Sequence, residues 1–103
     1  MFLNAFASAS SCAVSRSTIL TGTHGHVNGM YGHEHGYNHF RSFDDVKSLP
    51  VMLKQAGYRT ARMGKYHLGP EAVYRFDKVF KGEPGKGNEN WRDTANMARL
   101  ALD

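Results

Sequence analysis

Two pairs of residues in this 103-residue chain have the types and the spacing that anion chemistry requires. The first pair is Cys12, the single cysteine, and Arg16. If a helix includes Cys12 or starts immediately after it, both side chains lie on one side of that helix. The free N–H groups of its first turn suit a sulfate or phosphate, and a guanidinium adds a planar set of donors. The plainer interpretation is a small buried cysteine and a surface arginine.

The second pair is Lys65 and His67, within Gly-Lys-Tyr-His-Leu-Gly at 64–69. On an extended strand, residues two apart point to the same face, so both side chains would enter one pocket at the strand's end. Lysine can neutralise an oxyanion, and histidine can pass a proton to a leaving group. The plainer interpretation is an exposed lysine and a hydrogen-bonded structural histidine.

The elements that must position these pairs are predicted to be two strands and two helices. They are a strand over 2–9, a helix over 15–21, a helix over 49–56 and a strand over 58–65. Gly22 is expected to end the first helix, Ser48 to cap the second, and Gly57 to end it. Leu49, Met52, Leu53 and Ala56 give the second helix an apolar stripe. The order indicates an α/β layered fold.

Residues 22–43 contain five glycines and five of the six histidines, which predicts an irregular loop that covers a site. The histidines are His24, His26, His33, His35 and His39. Their spacing matches neither a His-Glu-x-x-His helix nor a zinc finger. One or two histidines in a substrate pocket is the favoured interpretation, and a His-rich metal-binding module is the weaker alternative.

The rest of the chain is predicted to be a turn-rich linker over 81–90 and a helix over 91–103. The sequence ends within that helix without a terminating residue, so we expect a piece of a longer chain. Residues 1–80 would be part of one catalytic domain.

Composition narrows the classes of partner. The net charge is +4 and the pI about 9.4, but the basic residues are scattered, which argues against a nucleic-acid interface. No apolar run approaches the ~20 residues of a membrane span. The first residues make a poor signal peptide. An anionic small molecule or a sulfated glycan suits the charge equally well.

Residues 12–22, Cys-Ala-Val-Ser-Arg-Ser-Thr-Ile-Leu-Thr-Gly, resemble the signature of the sulfatase family, Cys-x-Pro-Ser-Arg followed by Thr-Gly. Val14 stands where that family has proline. Further segments resemble the sulfamidase members, which cleave sulfamate from glucosamine. They include Asn28-Gly29-Met30-Tyr31-Gly32, His39-Phe40, Ser48-Leu49-Pro50, Gln55-Ala56-Gly57 and Gly69-Pro70-Glu71. The resemblance covers residues 2–80.

The resemblance implies part of an alkaline-phosphatase-like α/β fold, with a larger mixed sheet flanked by helices. It implies one Ca²⁺ and a formylglycine (3-oxoalanine) made from Cys12 by the formylglycine-generating enzyme. Residue 12 would be nucleophile and metal ligand, and Arg16 would hold the hydrate of the formylglycine. Lys65 and His67 would contact the sulfate and the leaving group. His26 and His39 would line the substrate pocket.

The implied substrate is a sulfated saccharide, and the implied compartment is lysosomal, secreted or periplasmic. Two departures limit the resemblance. No acidic residue precedes Cys12 to supply calcium ligands, and the later Asp-Asn ligand pair is missing, so the chain alone should bind Ca²⁺ poorly. Val14 removes a residue that the modifying enzyme reads. A catalytically inactive sulfatase remnant therefore stays open as an alternative function.

Overall fold

The computed structural model describes Met1, residues 3–80 and residues 98–99. Its elements, in chain order, are α1 (Cys12–Thr21), α2 (Gly25–Asn28), α3 (Leu49–Gln55), β1 (Ala61–Met63) and β2 (Lys78–Phe80). The two strands pair in parallel, with Ala61 opposite Lys78 and Met63 opposite Phe80. Helices and a parallel strand pair confirm the α/β class for the part described. The larger sheet that the resemblance implies stays a prediction.

Helix α1 begins at Cys12, three residues before the predicted start. Ser11 is extended at the N-cap, and its carbonyl accepts the first helical hydrogen bond, from the Ser15 N–H at 2.9 Å. Gly22 ends the helix as predicted, with φ +68 and its N–H bonded to the Thr18 carbonyl. The early start places the nucleophile candidate at the helix's first residue.

The predicted strand over 2–9 is absent from residues 3–9, which have no regular structure. Leu3 is 81% exposed and Phe6 is 92% exposed. A strand needs a pairing neighbour, and the described residues offer none at this end. The prediction was wrong because apolar side chains alone do not specify a strand.

The loop predicted over 22–43 contains one helical turn, α2, and is anchored by Asn28. The Asn28 side-chain amide donates to the Ser17 hydroxyl (3.3 Å), the Thr21 hydroxyl (3.2 Å) and the Thr23 carbonyl (3.1 Å). Its Oδ1 accepts the Met30 N–H at 2.9 Å. This fully buried residue fixes the loop against α1, and buried polar groups of this kind are expected to be bonded.

The core lies between α1, this loop and the segment after β1. Its buried apolar members are Ala13, Val14, Met30, Leu68, Val73 and Tyr74.

Helix α3 begins after Ser48, as predicted, but the Ser48 hydroxyl does not cap it. That hydroxyl donates instead to the Val73 carbonyl. The helix ends at Gln55, one residue early, and Gly57 follows with φ +89. The predicted apolar stripe is wrong as a core face, because Leu49 is 44% exposed and Met52 48% exposed while Pro50 is buried.

The predicted strand over 58–65 is reduced to β1, and β2 was not predicted. Asp77 joins the two strands: its Oδ2 accepts the Thr60 N–H (3.0 Å) and hydroxyl (3.1 Å). The Lys54 ammonium of α3 bonds the other oxygen. The Lys54 ammonium, then the Thr60 N–H, lowers the pKa of Asp77 to about 2.

We expect Asp77→Asn to lower the melting temperature near neutral pH, because a neutral amide cannot pair with Lys54. A carboxyl with a depressed pKa stabilises the fold above its ordinary pKa of 3.8. That contribution is lost as the pH falls towards about 2. The difference between Asp77→Asn and the unmodified chain should therefore shrink between about pH 4 and pH 2 in thermal melts followed by circular dichroism. A difference that stays constant over this range would contradict the prediction.

The predicted linker over 81–90 lies outside the described residues. So does the predicted helix over 91–103, apart from residues 98–99, which have helical backbone. Among the helices described, none is long and apolar enough to cross a membrane.

Candidate functional site

The first turn of α1 carries the first predicted pair. Cys12 is the helix's first residue and is partly exposed. Arg16 lies one turn later, as the spacing predicted. Its Nη1 donates to the Lys65 main-chain oxygen at 3.0 Å. This bond ties α1 to the segment after β1, so the two predicted pairs lie in one region.

Beside Cys12 stands a residue that the sequence did not single out as catalytic. The His33 Nδ1 lies 3.9 Å from the Cys12 Sγ and 3.5 Å from the Ser11 Oγ. In the sequence, His33 is one of the five histidines of the loop predicted over 22–43 and has no role of its own. No local pattern could have assigned it to Cys12, because the fold of the intervening loop creates the contact.

Three imidazoles lead from Cys12 towards the second pair. The ring centroids of His33 and His35 are 5.1 Å apart, and those of His35 and His67 are 5.2 Å apart. Residues 33–35 therefore lie between the start of α1 and His67.

Lys65 and His67 do not lie on a strand, and that part of the prediction is wrong. Strand β1 ends at Met63, and Gly64 (φ +82) and His67 (φ +53) then turn the chain through left-handed conformations. Residues two apart no longer share a face. Lys65 lines a depression of about 350 Å³ with Arg16, whereas His67 lines a different depression.

The two side chains are nevertheless close enough to influence each other electrostatically. Burial is the largest cause that lowers the pKa of His67 below its ordinary 6.5, followed by the positive charges of Lys65, His35 and Arg16. Glu34 opposes this shift. Burial and the neighbouring basic groups therefore disfavour protonation of His67.

The depression that contains His67 has a volume of about 840 Å³ and is open to solvent. We call it the Arg41 depression. Its lining residues are Glu34, His35, His39, Arg41 and His67. His39 and His67 thus line the same depression, and the substrate-binding role of His39 stays a prediction. The His39 Nδ1 lies 3.1 Å from the Glu34 carbonyl, which fixes its ring within the loop.

His26 lies elsewhere. It lines a separate depression of about 470 Å³, next to Ser10 and Ser11 before α1. Its ring stacks on that of His24 at 5.8 Å. The structure therefore places His26 beside the start of α1, and not with His67.

The described residues do not fit the calcium that the resemblance implies. A hard cation takes about six oxygen ligands. In residues 3–80 and 98–99, no group of three or more His, Cys, Asp or Glu side chains is placed to hold a metal ion. Glu34, the one carboxylate of the Arg41 depression, is paired with Arg41 at 3.5 Å. The same finding gives the His-rich metal-binding module no support from the described residues.

Comparisons with known proteins identify the same family as the signature at residues 12–22. The family model described as Sulfatase matches residues 1–98. The human protein named N-sulphoglucosamine sulphohydrolase is 54% identical over 102 residues, which cover 99% of this chain and 20% of that protein. The ulvan-active sulfatase of Formosa agariphila is 36% identical over 87 residues (84% and 16%).

A third relative, the N-acetylglucosamine-6-O-sulfatase of Bacteroides thetaiotaomicron, is 39% identical over 67 residues, covering 65% of this chain and 11% of that protein. The chain thus spans about one fifth or less of the length of these relatives. The family match extends from before α1 to beyond β2 and includes both predicted pairs. The chain belongs to the sulfatase family.

Proposed function

We propose that this chain carries the nucleophile and the leaving-group residues of a hydrolase that removes sulfate from N-sulfated glucosamine, or a related sugar, in a sulfated glycan. The observation that carries the proposal is the bond from Arg16 to the Lys65 main chain, which holds the Cys12 helix against the segment that ends in His67. The 54% identity to the human N-sulphoglucosamine sulphohydrolase supports this substrate.

The proposed chemistry begins at the first residue of α1. After conversion of Cys12 by a formylglycine-generating enzyme, residue 12 would supply a hydroxyl nucleophile for attack on sulfur. The N–H groups of the first turn lie beside residue 12, and the Arg16 guanidinium, bonded to the Lys65 main chain, is a second source of positive charge. They stabilise negative charge that develops on the sulfate oxygens.

Lys65 and His67 act at the other side of the substrate in this proposal. The Lys65 ammonium adds a positive charge near the sulfate, and His67 donates a proton to the departing amine or alcohol. His67 must be protonated to do so, and its lowered pKa means that this requires acid. Sulfate release should therefore rise as the pH falls below about 6.5, the ordinary histidine pKa. An acidic compartment such as the lysosome fits this better than a secreted or periplasmic location.

Substitution of this pair tests the proposal. We expect Lys65→Ala to lower kcat/KM for an N-sulfated glucosamine substrate about 100-fold, the scale of one lost charge-stabilising group. We expect His67→Gln to lower it by a similar factor and to remove the rise in acid. Arg59→Gln, at an exposed position outside both depressions, is the matched control. Sulfate is measured by ion chromatography across the pH range.

Unchanged rates in both variants would contradict the assigned roles. A His67→Gln variant that keeps the acid limb would contradict only proton donation.

The alternative function is a catalytically inactive sulfatase remnant. Val14 in place of the family's proline favours it. Mass spectrometry of the Cys12 peptide from native protein separates the two. An aldehyde supports the hydrolase, and an unmodified thiol together with no sulfate release supports the remnant.

A further inference from the structure

The Arg41 depression contains basic groups that the proposed hydrolysis does not use. Arg41, His35 and His39 line it together with His67. Glu34 contacts the Arg41 guanidinium through Nε, at 3.5 Å. The terminal Nη groups of Arg41 make no hydrogen bond to any residue in the described part of the chain. In a guanidinium, these two groups form the edge that can bind a carboxylate or a sulfate through paired donors.

Backbone strain is concentrated at the same place. Of the residues described, two that are not glycine have positive φ: His39 (φ +43) and His67 (φ +53). Both line the Arg41 depression. This region of conformational space is unfavourable for residues with a Cβ, and such strain tends to persist where a site needs it. The strain fixes two imidazoles on opposite chain segments around one opening.

The position of Arg41 is coupled to His67 through Gly69. The Gly69 carbonyl accepts the Ser42 N–H at 2.9 Å, which binds the two segments together. A Cβ at residue 69 would collide with the Glu34 Oε1 and would lie 2.9 Å from the Arg41 Nε. The ion pair therefore rests directly on the backbone two residues after His67. This close packing holds the guanidinium at a set distance from the proposed proton donor.

We propose that the Arg41 depression is a second anion subsite of the same active site, which binds the acidic group of the sugar adjacent to the one that loses sulfate. The subsite would favour polyanionic oligosaccharides over single sulfated sugars. The inference rests on the proposed function, because His67 is the residue that the two sites share. A uronate carboxylate and a second sulfate present the same oxyanion chemistry, so the probes below separate them.

Calorimetric titration of the full chain with a set of sugars tests the subsite. The first probe is N-sulfated glucosamine alone. The second is the same sugar linked to a uronic acid, and the third links it to a neutral sugar that carries an O-sulfate. The fourth is the uronic acid disaccharide with an N-acetyl group in place of the N-sulfate. Arg41→Gln is compared with Arg59→Gln, which removes the same charge at an exposed position outside the depression.

We expect Arg41→Gln to raise the Kd of an acidic disaccharide about tenfold and to leave the Kd of N-sulfated glucosamine unchanged. Arg59→Gln should change neither. The acidic disaccharide with the larger loss identifies the group that the subsite prefers. If Arg41→Gln does not fold, Arg41→Lys replaces it. That variant keeps the charge and loses the paired donors, and we expect about a threefold loss.

Equal affinity for the single sugar and both acidic disaccharides would overturn the subsite. Equal losses in Arg41→Gln and Arg59→Gln would also overturn it, because they would indicate unspecific charge attraction. If the N-acetylated disaccharide binds through Arg41 while N-sulfated glucosamine does not bind, the subsite stands and the proposed function fails. If N-sulfated glucosamine binds and no disaccharide binds more tightly than it does, the subsite fails and the proposed function stands. Absence of binding by all four sugars overturns the subsite.

Discussion

Replacing Cys12 with alanine is expected to abolish sulfate release, with a loss of at least about 10³-fold in kcat. The reason is that residue 12 is the proposed source of the nucleophile, and no other group at the start of α1 can take its place. The neighbouring Ser11 is the N-cap residue, so its hydroxyl belongs to the turn before the helix. Water reacting directly with the substrate would have to supply any remaining rate.

The measurement is sulfate release from N-sulfated glucosamine, with Ser11→Ala as the neighbouring control. Ser11→Ala should retain most of the activity, because the Ser11 side chain makes no capping bond to α1. Circular dichroism of both variants shows whether the fold is kept. Sulfate release by Cys12→Ala at the unmodified rate would remove residue 12 from the reaction.

Restoring proline at position 14 should increase the fraction of Cys12 that is converted to the aldehyde several-fold. The resemblance gives the reason, since proline is part of the pattern that the modifying enzyme reads. The fold should accept the change. The first main-chain hydrogen bond of α1 is donated by Ser15, so the N–H of residue 14 is not needed by the helix. Proline is well tolerated in a first helical turn.

The cost of Val14→Pro comes from packing. Val14 is 6% exposed and belongs to the core, and proline has a similar volume but a different shape. We expect a loss of stability below about 1.5 kcal/mol. Val14→Ala is the control, because it changes the packing without adding the ring and should leave conversion low. The aldehyde fraction is measured by mass spectrometry of the Cys12 peptide. An unchanged fraction in a folded Val14→Pro protein would show that another feature limits modification.

Features encoded by a few neighbouring residues were predicted well from the sequence. Gly22 ends α1 and Ser48 precedes α3, because a left-handed residue and an extended N-cap residue are local requirements. The predicted helix over 15–21 is also present, although α1 starts at Cys12 and so includes both Cys12 and Arg16. Family membership also followed from short segments, and the match over residues 1–98 confirmed it.

Features that depend on distant partners were predicted poorly. Strand β2 has three residues, and its pairing depends on Asp77 and Thr60, which lie far apart in the sequence. Residues 3–9 have the composition of a strand but no neighbouring strand in the described part of the chain. The contact between His33 and Cys12 follows from the anchoring of the loop by Asn28, which no local pattern reveals. Lys65 and His67 were assigned to one face because the two turns after Met63 could not be foreseen.

The bond from Arg16 to residue 65 ends on a main-chain oxygen, which every amino acid provides. The side chain at position 65 can therefore vary during evolution while α1 stays attached to the segment after β1. The attachment of α1 and the charge at position 65 can therefore change independently of each other. A substitution at position 65 could change which anion the site prefers and leave the supporting fold unchanged.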